Sequence, residues 1–161
     1  MDEEKNDLNE VYRSTSIIGY STSFSVIIYG LIAYYLLSRP SGGQSAVENS
    51  EMIRQIFWFV GISILFSISL MRRLISKNAK KKDITSREIL KQLQTTSMVT
   101  FGMCESIGIL GLVLSIMTKN INDYYGLGFL SLASFGLFFP KIHLWEEQMN
   151  CAVDTDDEFN K

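Results

Sequence analysis

Four stretches of this chain carry almost no charge, and each is long enough to cross a lipid bilayer as a helix. Charged residues are absent over 14–38, 55–71 and 124–140, and the remaining stretch, 92–118, contains only Glu105. The hydrocarbon core of a bilayer is roughly 30 Å thick and needs about 20 apolar residues as an α-helix, with about 17 near the lower limit. Because the four stretches fill most of a 161-residue chain, little is left for a soluble domain.

The pattern predicts an all-α membrane protein with four transmembrane helices. Backbone groups in lipid must be satisfied within their own segment, which favours helices. The stretches also lack the alternating polarity of transmembrane β-strands. We therefore interpret the whole chain, 1–161, as a single integral membrane domain.

The distribution of Lys and Arg predicts the orientation. With four spans, both termini and the central loop lie on one side of the membrane. That side holds twelve of the 15 Lys and Arg residues, and the other side holds Arg39, Arg54 and Lys119. Cytoplasmic loops carry the excess of positive charge. We expect both termini in the cytoplasm and the protein in the inner (cytoplasmic) membrane of a bacterium.

The first and third stretches resemble each other when the sequence is shifted by 81 positions. Gly30-Leu31-Ile32 then aligns with Gly111-Leu112-Val113, and no gap is needed over about 25 residues. The second and fourth stretches align more weakly at a shift of 67. We interpret the pattern as a duplication. It predicts two tandem helical hairpins in the same orientation, with repeat units of about 1–75 and 82–145.

Glu105 is the only charged residue in the third stretch. An ionised carboxylate at the bilayer centre costs at least about 2.5 kcal/mol on insertion scales, so we expect this acid to carry a proton. Small residues surround it, and small residues let helices approach closely in lipid. The acid is therefore predicted to lie at a packed seam between helices. The small residues expected to mediate that packing are Gly30, Gly102, Cys104, Gly108, Gly111 and Ser115.

Three interpretations of Glu105 remain open. It can form a structural hydrogen bond between helices, or it can hold and release a proton. It can also pair with a basic residue from another subunit. Because no Lys or Arg of this chain lies at matching depth, an ion pair within the chain is not expected.

The segment Glu105-Ser106-Ile107-Gly108-Ile109-Leu110-Gly111-Leu112-Val113 resembles the carboxylate helix of the proteolipid c subunits of rotary ATPases. In that helix an acid is followed by a small residue, aliphatic residues and then an aromatic-Gly-Leu sequence, which Tyr29-Gly30-Leu31 resembles. The resemblance implies packed hairpins, a tendency to form rings and ion exchange at Glu105, with Ser106 as a second candidate ion ligand. No Gln or second acid accompanies them in the second or fourth stretch, so a proton is expected rather than sodium.

A basic run follows the second stretch. Such runs attract anionic lipid headgroups at about 1 kcal/mol per residue, although the positive-inside rule explains the same charges. The candidate headgroup ligands are Arg72, Arg73, Lys80, Lys81 and Lys82. Nucleic-acid binding is not expected, since no aromatic residues interleave with the run. A lone histidine, His143, predicts no metal site.

Two functions agree with the sequence. The first is a proteolipid-like subunit of a homo-oligomer or larger membrane complex, with Glu105 exchanging a proton. The second is a structural or accessory membrane subunit, in which Glu105 joins two helices and no ion moves. An enzyme is not expected, because no nucleophile, base and orienting group can be assembled from the sequence. No cofactor and no small-molecule substrate are inferred.

Overall fold

The computed structural model describes residues 2–39, 49–79 and 86–146, and within these ranges the chain is helical, with no β-strand. The all-α prediction is therefore confirmed for the described residues. One further helical turn covers 142–146. The four main helices are α1 (Asp2–Ser38), α2 (Ser50–Ala79), α3 (Ser86–Thr118) and α4 (Ile121–Phe138).

Three of these helices are long and apolar enough to cross a membrane. The segments with that property are Asn6–Ser38, Ser50–Leu74 and Arg87–Thr118. The fourth helix, α4, has 18 residues. At 1.5 Å per residue it is about 27 Å long, close to the thickness of the hydrocarbon core.

The distribution of large and small side chains differs from that of a water-soluble protein. Several of the largest apolar side chains point outwards, among them Phe59, Phe66 and Phe129. Much of the buried interior is instead small and polar. Water drives large apolar side chains inside, whereas lipid removes that force and favours small residues between helices. Among the described residues, the fully buried hydroxyl side chains are Thr15, Thr100, Ser115, Ser131 and Ser134.

The third helix, α3, is the centre of the bundle. It packs against α1, α2 and α4, and its most extensive contact is with α4. By contrast, α1 and α2 make almost no contact with each other, although they follow one another in the chain. The amino-terminal half is thus not a self-packed hairpin, because α3 lies between its two helices.

Helices α1 and α3 run parallel, and so do α2 and α4. In each pair, the contacting residues are separated in sequence by nearly the same number of positions as the shift found in the sequence. Between α1 and α3, Gly19 approaches Phe101 and Val26 approaches Gly108. Both contacts join residues about 81 positions apart.

The second pair behaves in the same way. Trp58 of α2 lies against Gly126 of α4, and Arg54 bonds Asp123. These separations of 68 and 69 residues are close to the shift of 67. Residues that align in the sequence therefore lie at similar depth along the bundle.

One end of the bundle gathers the starts of α1 and α3 with the segment after α4. Leu8, Ile89, Leu90 and Trp145 form a buried apolar cluster there. Tyr12 packs edge-on against Trp145, with ring centroids 5.6 Å apart. Its hydroxyl group also donates a 3.2 Å hydrogen bond to the Pro140 carbonyl oxygen.

Helix ends differ from the sequence-based expectation in two places. Helix α1 begins at Asp2, well before its uncharged stretch starts at residue 14. Helix α4 begins at Ile121, three residues before its uncharged stretch. Asn120 is its N-cap, and the Asn120 side chain accepts a hydrogen bond from the Asn122 backbone N–H. The third helix ends at Thr118, as expected from the sequence.

Candidate functional site

Glu105 lies at the seam between α1 and α3, and hydroxyl groups of α1 bond its carboxyl. Ser25 Oγ and Tyr29 Oη each donate a 2.7 Å hydrogen bond to Glu105 Oε1. All three side chains are partly buried. These two donors are neutral, and none of the ion pairs among the described residues involves Glu105.

The hydroxyl group of Ser25 can take part in two arrangements. Its Oγ lies 2.7 Å from Glu105 Oε1 and also 2.7 Å from the Thr22 carbonyl oxygen. A serine hydroxyl has one proton and can accept two hydrogen bonds. If Ser25 donates to Thr22, its Oγ is free to accept the proton of a neutral Glu105. The same geometry therefore accommodates an ionised and a protonated carboxyl group.

Glu105 also borders an exposed face of α3, which we call the open stripe. The residues of the open stripe recur at helical spacing and are all exposed. They lie on the side of α3 that faces neither α1, α2 nor α4. Spanning 98–116, the open stripe is about 27 Å long, close to the thickness of the hydrocarbon core. Its residues are Met98, Gly102, Ser106, Ile109, Val113 and Ile116.

Two residues that the sequence assigned to the Glu105 site lie on the open stripe. Ser106 is exposed, and its hydroxyl group donates to the Gly102 carbonyl oxygen of its own helix at 2.8 Å. Gly102 is exposed too, and a Cβ placed there would meet nothing within 4 Å. Within the described residues, Ser106 therefore makes no hydrogen bond to Glu105, and Gly102 meets no other helix. Their expected roles as ion ligand and packing residue stay predictions.

The other small residues of α3 face its neighbours. Cys104 and Ser115 are fully buried. A Cβ on Gly108 would lie 3.1 Å from Val26, and one on Gly111 would lie 3.0 Å from Leu127 Cβ. These glycines therefore lie where α3 comes closest to α1 and α4.

Gly30 contributes to a slot for an aromatic ring that the sequence did not indicate. A Cβ on Gly30 would lie 2.8 Å from the Tyr124 ring, and one on Gly128 would lie 3.1 Å from it. The Tyr124 hydroxyl group donates a hydrogen bond to the Val26 carbonyl oxygen of α1. Tyr124 therefore joins α4 to α1 within one helical turn of Ser25 and Tyr29.

A second polar cluster lies at the opposite end of the bundle from Trp145. Asp123, which is 6% exposed, accepts hydrogen bonds from Arg54 Nε at 2.7 Å and from Thr118 Oγ1 at 2.6 Å. Arg54 Nη2 contacts the second oxygen of Asp123 at 3.3 Å, and Arg54 Nη1 bonds Glu51 at 2.9 Å. The ion pair holds the start of α2 against the start of α4.

The predicted headgroup ligands divide into three cases. Arg72 donates a 2.9 Å hydrogen bond to the Phe138 carbonyl oxygen, and its guanidinium group lies over the Phe138 ring. This arginine caps the end of α4 from within the protein. Arg73 is exposed. The remaining candidates, Lys80, Lys81 and Lys82, lie outside the described residues.

The partners of Glu105 were missing from the sequence-based prediction. A signal for them existed in the shift of 81, because parallel helices packed in that register place residue 24 or 25 opposite Glu105. Ser25 and Tyr29 follow from that register once the two helices are known to touch. The pair formed by Arg54 and Asp123 had a weaker signal of the same kind, because the shift of 67 places Arg54 near residue 121.

Comparison with protein-family models, with curated proteins and with solved structures found no match to this chain. The function must therefore be argued from the geometry.

Proposed function

We propose that this chain is a proteolipid-like integral membrane subunit in which the Glu105 carboxyl group exchanges a proton. The proposal includes four spans in two tandem up-and-down pairs, of which only α3 and α4 pack closely against each other, with both termini in the cytoplasm of a bacterium. It also includes assembly with further copies or with other membrane subunits.

One observation carries the proposal: Glu105 is held by neutral hydroxyl groups at the edge of the open stripe. In lipid, an acid without a cationic partner is more stable protonated than ionised. A subunit that covers the open stripe with a polar or cationic group would favour release of that proton. The two arrangements available to the Ser25 hydroxyl group let the site accept both states without moving a helix.

Chemical labelling tests whether Glu105 carries an exchangeable proton. A hydrophobic carbodiimide reacts with protonated carboxyl groups in membranes, and we expect it to modify Glu105 in a pH-dependent manner. Glu105→Gln should abolish the modification and stop proton flux across native membrane vesicles, while the assembled complex is retained. Glu88→Gln changes an exposed acid on the same helix and is the matched control. Unchanged flux in Glu105→Gln vesicles would exclude proton exchange.

A second candidate function is favoured by the same two hydrogen bonds. Because Ser25 and Tyr29 both bond Glu105 Oε1, the carboxyl group joins α1 to α3 whether or not a proton moves. The chain would then be a structural or accessory subunit. In that case Glu105→Gln, which keeps an acceptor oxygen, behaves as the wild type. Glu105→Leu, which removes the acceptor, disrupts assembly.

A further inference from the structure

A pocket with mixed charge lies where α1 and α3 begin, far from Glu105. It is a shallow, wide-open pocket with a volume of about 220 Å³. Asp7 and Glu10 of α1 line one wall, and Arg87 and Lys91 of α3 line the other. Two acids therefore face two bases across the pocket.

These four charges do not neutralise each other by direct contact. The ion pairs found among the described residues, at nitrogen–oxygen distances of up to 4.0 Å, both belong to Arg54. More than 4.0 Å therefore separates the acid oxygens from the basic nitrogens across the pocket. A ligand with one anionic and one cationic group would complement both walls at once, whereas a simple anion or cation would meet like charge on one side.

Glu10 and Lys91 lie at the expected depth of lipid headgroups, and Asp7 and Arg87 lie at or beyond the outer edge of that layer. The uncharged stretches begin at residues 14 and 92, so Glu10 and Lys91 lie about 6 Å and 2 Å outside them, and Asp7 and Arg87 about 11 Å and 8 Å. Headgroup layers add roughly 5–8 Å on each side of the hydrocarbon core. Trp145 is buried nearby. Tryptophan residues are enriched at the interface between membrane and water.

The floor of the pocket is apolar and leads towards the membrane interior. Val11 and Leu90 line it, and Leu90 belongs to the buried cluster with Leu8 and Ile89. Gln94 lies one turn beyond Lys91 on the hydrocarbon side. Its amide is suited to the ester groups that join a headgroup to its acyl chains.

We propose that this pocket binds the headgroup of a zwitterionic phospholipid with a primary amine, of the phosphatidylethanolamine type. Arg87 and Lys91 hold the phosphate, since guanidinium and ammonium groups donate to its oxygens. Asp7 and Glu10 accept hydrogen bonds from the ammonium group. A phosphatidylcholine headgroup has the same charges, but its quaternary ammonium has no N–H to donate. An anionic headgroup without an amine would leave the two acids unpaired.

Competition between lipids in the full-length protein tests the proposal. The chain is reconstituted in vesicles of equal phosphatidylethanolamine and phosphatidylcholine, and the lipids that remain bound after mild extraction are counted by native mass spectrometry. We expect about fivefold enrichment of phosphatidylethanolamine, the ratio that one additional hydrogen bond of about 1 kcal/mol supports. Equal retention of the two lipids by the wild type would overturn the proposal.

Paired variants separate the two walls of the pocket. Asp7→Asn with Glu10→Gln should reduce the enrichment to about one, because the ammonium group loses both charged acceptors. Arg87→Gln with Lys91→Gln should reduce the retention of both lipids. Glu88→Gln and Arg13→Gln change exposed charges outside the pocket and should keep the fivefold ratio. If these controls abolish the ratio as well, general surface charge explains the binding and the pocket does not.

A soluble competitor distinguishes a lipid from a free metabolite. Free phosphoethanolamine has the same two charged groups but no acyl chains to lie along the apolar floor. We expect it to displace the bound lipid only at a large molar excess. Displacement at equimolar concentration would show that the pocket takes a free zwitterion, and the lipid assignment would be wrong.

Discussion

The hydrogen-bond donors to the Glu105 carboxyl group come from a different helix, α1. The sequence indicated that this acid is in an apolar environment and next to small residues. It also placed the candidate ion ligand, Ser106, beside it in the chain. The structure instead supplies the partners from another helix, because adjacent residues of an α-helix point about 100° apart. Ser106 therefore faces outwards while Glu105 faces Ser25 and Tyr29.

Removing the hydroxyl group of Tyr29 should weaken the contact between α1 and α3. Hydrogen bonds between membrane helices contribute about 0.6 kcal/mol on average, so we expect Tyr29→Phe to lower the free energy of unfolding in micelles by about that amount. Carbodiimide should also label Glu105 faster, since one group that covers Oε1 is gone. The matched control is Tyr34→Phe on the same helix, where the side chain is 61% exposed. Equal labelling rates in both variants would contradict the predicted role of Tyr29.

The carboxylate of Asp123 should be needed to hold α2 in place. Asp123→Asn keeps the size of the side chain but removes the charge that pairs with Arg54, so the thermal midpoint in detergent should fall. A double-mutant cycle with Arg54→Ala should give less than the sum of the two single effects, because both changes break one interaction. Glu51→Gln is the control, since the Glu51 side chain is 80% exposed and contacts the same arginine. Additive effects in the cycle would indicate that the pair makes no net contribution.

At the scale of helices, glycines distinguish packed faces from open ones. Gly102 and Gly111 lie nine residues apart on α3, and the sequence assigned both to helix packing. Only Gly111 meets a neighbour, the Leu127 Cβ of α4. Spacing along one helix locates a stripe of small residues, but it does not say which sides of that helix have partners. The partner positions follow from the whole bundle, which local patterns do not encode.

Alanine at these two positions should have opposite effects. In Gly111→Ala the new methyl group would lie 3.0 Å from Leu127 Cβ, a contact too close to keep without moving α4. We expect a loss of about 1–3 kcal/mol of stability, typical of overpacked interiors. Gly102→Ala has open space around it, so it should be neutral or stabilising by up to about 1 kcal/mol, as helix propensity predicts. Unfolding of both variants in mixed micelles measures the difference, and equal losses would show that the open stripe is covered.

At the scale of the molecule, the apolar stretches predicted the number, order and approximate position of the helices. They did not predict how far the helices extend, because α2 covers 30 residues whereas its uncharged stretch is 55–71. Helix continues into water wherever charged residues of good helix propensity follow an apolar segment. The sequence also did not predict that α1, α2 and α4 all pack against α3. A repeat in the sequence suggests two equal hairpins, whereas the structure has a well-packed pair, α3 and α4, and an open pair, α1 and α2.

The side of the membrane on which each terminus lies distinguishes four spans from three. With four spans, Cys151 lies on the same side as the amino terminus. If α4 does not cross, the two lie on opposite sides. We expect a membrane-impermeant maleimide to label Cys151 in inside-out vesicles and not in intact cells. Asn6→Cys in a Cys151→Ser background should give the same result, and Cys104, which is fully buried, should react only after denaturation.

The near absence of contact between α1 and α2 has a consequence for how the protein is made. A ribosome synthesises the chain from its amino terminus, so α1 and α2 are complete before α3 has been made. Until then, neither α1 nor α2 has a helix of its own chain to pack against. The arrival of α3 joins them, and α4 then completes the bundle. We therefore expect the earliest segments of this protein to be packed together only late in its biogenesis.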